Sequence, residues 1–124
     1  MNMVGRIAAG GVTLFSALMA GMTWIAPDRA QAALGFSGLD GLALNTFRAD
    51  VGALFLLNAV CGAGAAFAGR RGWLAAPAFL FGAAATGRLL SLGLDGAAEG
   101  ALQAVLVETV MVALSIAGLR LIRA

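Results

Sequence analysis

Four apolar stretches alternate with short polar gaps along this chain. Each is close to the roughly 20 residues that a helix needs to cross a bilayer. The first, "IAAGGVTLFSALMAGMTWIA", covers 7–26 and stops at Pro27. The second, "VGALFLLNAVCGAGAAFA", covers 51–68, and the third covers 74–94 with Pro77 in its first turn, where a helix tolerates proline. The fourth covers 102–122. The pattern predicts an all-α fold: an integral membrane four-helix bundle made by a single transmembrane domain over 1–124.

The gaps are not alike. Arg6, then Arg70 and Arg71, then Arg120 and Arg123 fall before, between and after the spans, on one side if all four cross, and no acid accompanies them. The opposite side holds Asp28, Arg29, Asp40, Asp50, Asp95 and Glu99. Arginine bias in short loops sets orientation, so both termini are expected in the cytoplasm. Trp24 and Trp73 stand at span ends, where indole rings favour the interface.

Composition agrees with lipid as the solvent. The chain is 61% hydrophobic and 11% charged, against about 45–50% and about 25% for a soluble domain. Its mean hydropathy is +0.95. The net charge is only +2 and the eight basic residues are scattered arginines, so no basic run exists to neutralise a row of phosphates and nucleic-acid binding is not expected. With no His, Tyr or Lys and a single Cys61, the chain lacks imidazole chemistry, a CxxC pair and a Schiff-base amine. No cofactor, metal or catalytic residue is expected, and Cys61 reads as a small buried thiol.

Other features leave alternatives open. Arg6, the first apolar run and "DRAQA" resemble a secretory signal, but the run exceeds the usual 7–15 residues, and its loss would put the arginine-rich loops in conflict. Retention as a spanning helix is therefore expected. Gly10, Gly11, Ala17 and Gly21 in the first span, and Gly52, Ala59, Gly62 and Ala66 in the second, have the spacing that lets helices approach closely in lipid. They fit bundle packing first and a homo-oligomer or membrane-complex interface second. The loop "PDRAQAALGFSGLDGLALN" is long enough for a short interfacial helix.

The polar residues within the spans need a reason. An isolated ion near the bilayer centre costs about 2.5–3.5 kcal/mol and usually pairs or lines a cavity. Arg88 lies six residues before the end of the third span and Glu108 six residues into the fourth, so both sit roughly 9 Å inside the same boundary. Antiparallel neighbours would bring them level, as each other's partner. Ser91 and Asp95 share a helix face with Arg88 at i+3 and i+7. A helix beginning near Asn45 would put Asn45, Arg48 and Gly52 on one face, with Arg48 competing for Glu108 or Asp95. The candidate cluster is Asn45, Arg48, Asp50, Arg88, Ser91, Asp95 and Glu108. It reads equally as a clamp fixing the second, third and fourth helices and as a ligand or proton site. Asn58, deeper in the second span, is expected to hydrogen-bond a neighbouring helix.

"LNTFRADVGALFLLNAV", followed by "TGRLLSLGLDG" and a glutamate in the last span, resembles the bacterial membrane-protein family labelled domain of unknown function 4345. Asn45, Arg48, Ala49 and Gly52 match its N-x-x-R-A element and the glycine-containing span after it. Gly87, Arg88, Ser91, Leu92, Asp95 and Gly96 match its G-R…S-L…D-G element. The likeness runs from about Gly38 to the C-terminus, the first span matching in placement only. Where members often carry paired glycines after the arginine, this chain has "DVGA". The resemblance implies a four-helix bacterial inner-membrane protein and no particular activity.

The leading expectation is a non-enzymatic accessory or packing protein, or one that binds a small ligand or lipid at its outer polar cluster. The alternative is a small oligomeric proton-coupled transporter using Glu108. A lone membrane glutamate in a four-span chain resembles the small multidrug-resistance exporters, but theirs lies in the first span, where this chain has no ionisable side chain past Arg6.

Overall fold

In the computed structural model, which describes residues 2–123, Asn2 opens the first helix. Its side chain accepts a hydrogen bond from the Val4 N–H at 3.1 Å, satisfying a donor that a helix start leaves orphaned. Helix α1 runs over Met3–Ile25. Pro27 then begins α2, Pro27–Leu34, at a position where its missing N–H costs nothing, and Gly35 ends it with a left-handed φ of 81°. After a short loop come α3, Gly41–Thr46, a π-helical turn over Phe47–Val51, and α4, Gly52–Ala68, in unbroken succession. A 3-10 turn over Arg71–Leu74 leads into α5, Ala75–Asp95, and α6 covers Ala101–Leu121.

Four helical segments are long and apolar enough to cross a membrane: Met3–Ile25, Gly41–Ala68, Arg71–Asp95 and Ala101–Leu121. These are the four stretches read from the sequence, the first three starting earlier and the fourth shifted by one residue. Helix formation does not stop where apolarity does. Arg6 lies inside α1, and the polar "DGLALNTFRAD" segment continues the second helix outward by a further ten residues or so. The long loop after α1 does contain a short helix, α2, with Ala30 and Gln31 buried. Gln31 holds the loop that follows, accepting from the Leu39 N–H at 3.2 Å.

The long helices pack in the order α4–α1–α6–α5, with α1 between α4 and α6 and α5 against α6, while α4 and α5 meet only sparsely. Every packed pair is antiparallel. Gly62 of α4 faces Ala9 and Thr13 of α1, so closely that a Cβ there would come 2.9 Å from the Thr13 nitrogen. Gly5 of α1 abuts Leu121 and Ile122 at the end of α6 in the same manner. Without a hydrophobic drive between helices in lipid, such backbone approach supplies the van der Waals contact. Gly118 of α6 similarly leaves room for Leu74, which is wholly buried.

Of the small residues singled out in the sequence, Gly52, Ala59, Gly62 and Ala66 lie in contacts. Those of α1 mostly do not. Gly10 and Gly21 have open space beside them and Ala17 is exposed. The buried face of α1 is instead Gly5, Ala8, Ala9, Val12, Ser16, Met19, Ala20 and Thr23. In so apolar a helix, no contrast between faces marks which one packs.

Hydroxyls along the long helices, buried or exposed, mostly bond backward within their own helix. Thr13, Thr23, Thr86, Thr109 and Ser115 each donate to the carbonyl four residues earlier, at 2.7–3.0 Å. At the end of the bundle where both described ends of the chain lie, Arg71 Nη1 donates to the Ile122 carbonyl at 3.5 Å. Arg70 stacks 4.8 Å over the Trp73 ring beside them. This terminal face thus gathers arginines. The opposite loop face carries the acids other than Glu108.

Candidate functional site

Arg88 and Glu108 project towards each other across the antiparallel α5–α6 contact. Arg88 Nε donates to Glu108 Oε1 at 2.7 Å, as their matched depths led one to expect. The contact is a single bond, not a two-pronged fork. It leaves Nη1 and Nη2 of Arg88 without a hydrogen bond among the described residues. It also leaves Glu108 Oε2 buried with no partner. Glu108 as a whole is 9% exposed, and the Arg88 side chain is 34% exposed.

The exposure of Arg88 has a structural cause. α5 packs on α6 and α4 packs on α1, and the sparse contact between α4 and α5 leaves a cavity of about 580 Å³ on the loop-face side. Arg88, Gln103, Ala104 and Glu108 line its wall. Phe15, Met19, Phe55 and Phe81 supply its apolar lining. Phe15 is central there, with ring centroids 6.1 Å from both Phe55 and Phe81. The end of α2, Ala32 to Gly35, and the α5–α6 loop, including Glu99, form the rim. The volume is that of a small-molecule pocket, with Arg88, Glu99, Gln103 and Glu108 set among apolar side chains.

The other residues of the expected cluster lie elsewhere. Ser91 Oγ donates to Asp95 Oδ2 of its own helix at 2.9 Å, and both are exposed, so neither completes the Arg88–Glu108 pair. Asn45, Arg48 and Asp50 are exposed, and Arg48 forms no ion pair with Glu108 or Asp95. Two facts explain this. The π turn over Phe47–Val51 adds a residue to the helical cycle, which rotates Asn45 and Arg48 off the face expected from regular spacing. In addition, α4 packs on α1 and not on α5. What Arg48 contributes is its backbone carbonyl, which accepts from Trp24 Nε1 at 3.0 Å. The polar pair therefore joins two helices, not three.

Asn58 is 3% exposed, and its Oδ1 finds no partner on a neighbouring helix, contrary to expectation. Ser16 Oγ is likewise buried and unpartnered. Cys61 is a buried free thiol. No group of three metal-ligating side chains occurs among the described residues.

Sequence reasoning placed Glu99 only in a loop and passed over Gln103 and the phenylalanines. A signal for part of this existed. Ala101, Ala104 and Glu108 recur at helical spacing, as do Gly100, Gln103 and Val107, and all six line the cavity. The phenylalanines carried no such mark, because they come together only through the order in which the helices pack.

Comparison with known protein families, with curated proteins and with solved structures finds no match to this chain.

Proposed function

We propose that this chain is a multi-pass, non-enzymatic protein of the bacterial inner membrane, with both termini cytoplasmic, that binds a small amphipathic molecule in the Arg88–Glu108 cavity. The orientation is supported by the acid-free arginines of the terminal face. Kinship with the family labelled domain of unknown function 4345 belongs to the same proposal, resting on Asn45, Arg48, Gly87, Arg88, Ser91 and Asp95.

The single observation that carries the binding reading is the ion pair's incomplete satisfaction on a cavity wall. A clamp with no other task would close both ends, since an unsatisfied buried polar atom costs about 1–3 kcal/mol. Here Oε2 of Glu108 lacks a donor, and Arg88 keeps two unbonded nitrogens beside open volume. A bound molecule with a hydrogen-bond-accepting end and an apolar body would take up the two free Arg88 nitrogens and cover the phenylalanines.

Native mass spectrometry of the purified chain tests this. Wild type should carry a bound amphiphile that Ala104→Phe, which fills the cavity wall, removes without loss of helicity. Retention of the same adduct by the Ala104→Phe variant would overturn the reading.

The transporter alternative draws on the same unpartnered oxygen. Against it stands the 2.7 Å ion pair, which each proton exchange would have to break. Dye efflux that Glu108→Gln abolishes would favour transport over binding.

A further inference from the structure

We infer that the terminal face holds one anionic phospholipid of the adjoining leaflet, its phosphate seated on Arg6, Arg70 and Arg71 around the turn at 69–72. The inference rests on the multi-pass reading above and not on the cavity. Three segments of chain meet at this turn. α4 ends at Ala68, and Gly69 turns the backbone with a left-handed φ of 67°. Arg6 of α1 reaches over that glycine, its Nη2 lying 3.7 Å from where a Cβ on residue 69 would stand. Arg70 and Arg71 follow at once, and both are exposed. Gly5, beside Arg6, abuts Ile122, whose carbonyl accepts from Arg71 Nη1 at 3.5 Å. The end of α6 thereby brings Arg123 to the same face.

No acidic side chain neutralises this group. Asp and Glu are absent before residue 28, between residues 51 and 94, and after Glu108. The only ion pair among the described residues joins Arg88 to Glu108. Helix ends do not supply the missing charge either. α1 and α5 begin at this face while α4 and α6 end at it, so two partial positive charges offset two partial negative ones. Guanidinium groups gathered about one turn repel one another, and an anion set among them reverses that repulsion. Phosphate suits the geometry, since a guanidinium presents a planar fork to two of its oxygens. Arg70 lies flat over the Trp73 ring, which leaves its in-plane N–H groups free to donate.

The surroundings single out a lipid as the source of that phosphate. Trp73 packs against Gly64 of α4 beneath Arg70, and an indole at a span end marks the height of the lipid heads. Val60 and Phe67 stand four residues before and three after Gly64, on the same helix face, and both are exposed. They give an acyl chain an apolar track running down from the turn. Arginines clustered at the end of membrane helices attract anionic heads in this way.

Native mass spectrometry of the full chain in detergent, stripped of lipid and titrated with dioleoyl phosphatidylglycerol or dioleoyl phosphatidylcholine, tests this. The acyl chains are identical, so the comparison reads the head alone. An arginine near the membrane surface corresponds to about a fivefold gain in affinity for an anionic lipid. Phosphatidylglycerol should therefore bind the wild type more than about tenfold more tightly, and equal binding of the two lipids would overturn the inference without any variant. Arg6→Gln and Arg70→Gln should each lower the preference about fivefold. Arg29→Gln makes the same change in net charge at an exposed position on the opposite face and should leave the preference intact. An equal fall with Arg29→Gln would reduce the effect to overall charge and overturn the site. Ala104→Phe, which fills the cavity, should also keep the preference; its loss there would place the lipid in the cavity instead. Excess inorganic phosphate should leave the lipid bound, and displacement by it would overturn a lipid as the occupant. A failure of the multi-pass reading would show separately, in reporter fusions that read the spans themselves.

Discussion

Trp24 and Gly52 fit together as ring and recess. The indole of Trp24 occupies the place where any Cβ on residue 52 would lie, and from there its Nε1 reaches the Arg48 carbonyl at 3.0 Å. That bond steadies the π turn, whose irregular hydrogen bonding leaves carbonyls in need of donors. Gly52→Ala should therefore displace the ring and cost about 1–3 kcal/mol, the range of overpacking, read as a lower thermal midpoint in detergent. Trp24→Phe should cost about 0.5–1.5 kcal/mol for the lost hydrogen bond, beyond the smaller ring. Because the smaller ring relieves the clash, Gly52→Ala should cost less in the Trp24→Phe background than alone. Equal cost in both backgrounds would show that the ring does not fill the recess.

The Arg88–Glu108 contact gives a second cycle. Arg88→Ala and Glu108→Ala should each destabilise, and the double variant should lose less than their sum, by a coupling of about 1.5–3 kcal/mol reduced by the partial exposure of Arg88. Glu108→Gln should cost less than Glu108→Ala, because an amide oxygen still accepts from the guanidinium. Additive losses in thermal unfolding would contradict direct pairing.

Ser91 and Asp95 stand apart from that pair. Ser91→Ala should change stability by no more than about 0.5 kcal/mol, as expected for an exposed site. It should also leave the Arg88–Glu108 coupling unchanged. A coupling that shrinks with Ser91→Ala would return Ser91 to the cluster.

Why the pair was legible and its surroundings were not follows from the solvent. Lipid demands unbroken apolar runs, so the four spans stand out, and two opposite charges at equal depth have few alternatives to each other. The same demand erases facial contrast. α6 is apolar nearly all round, its few polar residues forming no stripe, so its sequence does not reveal that α1 packs on one side of it and α5 on the other. From that arrangement come the separation of α4 from α5, the cavity and the exclusion of Arg48. The π turn was hidden as well, since "FRADV" contains no residue that a regular helix would reject.

Gly118 and Leu74 form another close fit, at the terminal face. Gly118→Ala should drive its methyl into Leu74 and cost about 1–3 kcal/mol of stability, read as a lower midpoint. Shortening the neighbour with Leu74→Val should recover part of the loss. Circular dichroism melts of the three variants decide this, and a Gly118→Ala variant as stable as wild type would refute it.

Orientation is open to direct measurement. Reporter fusions after Arg71 and after Arg123 should report cytoplasm, and fusions after Asp40 and after Glu99 should report periplasm, following the arginine asymmetry. A periplasmic signal from the fusion after Arg123 would overturn the proposed topology.

The central place of α1 also bears on how the protein is made. α1 is synthesised before both of its long neighbours, α4 and α6, and α6 follows the other three long helices. α5 in turn finds its main neighbour only when α6 arrives. Closing a contact across nearly the whole chain carries a loop entropy that local pairs do not. The nascent chain can therefore hold α1 and α4 as an early hairpin-like pair, but the cavity and its charged wall come into being only after α6 has joined them.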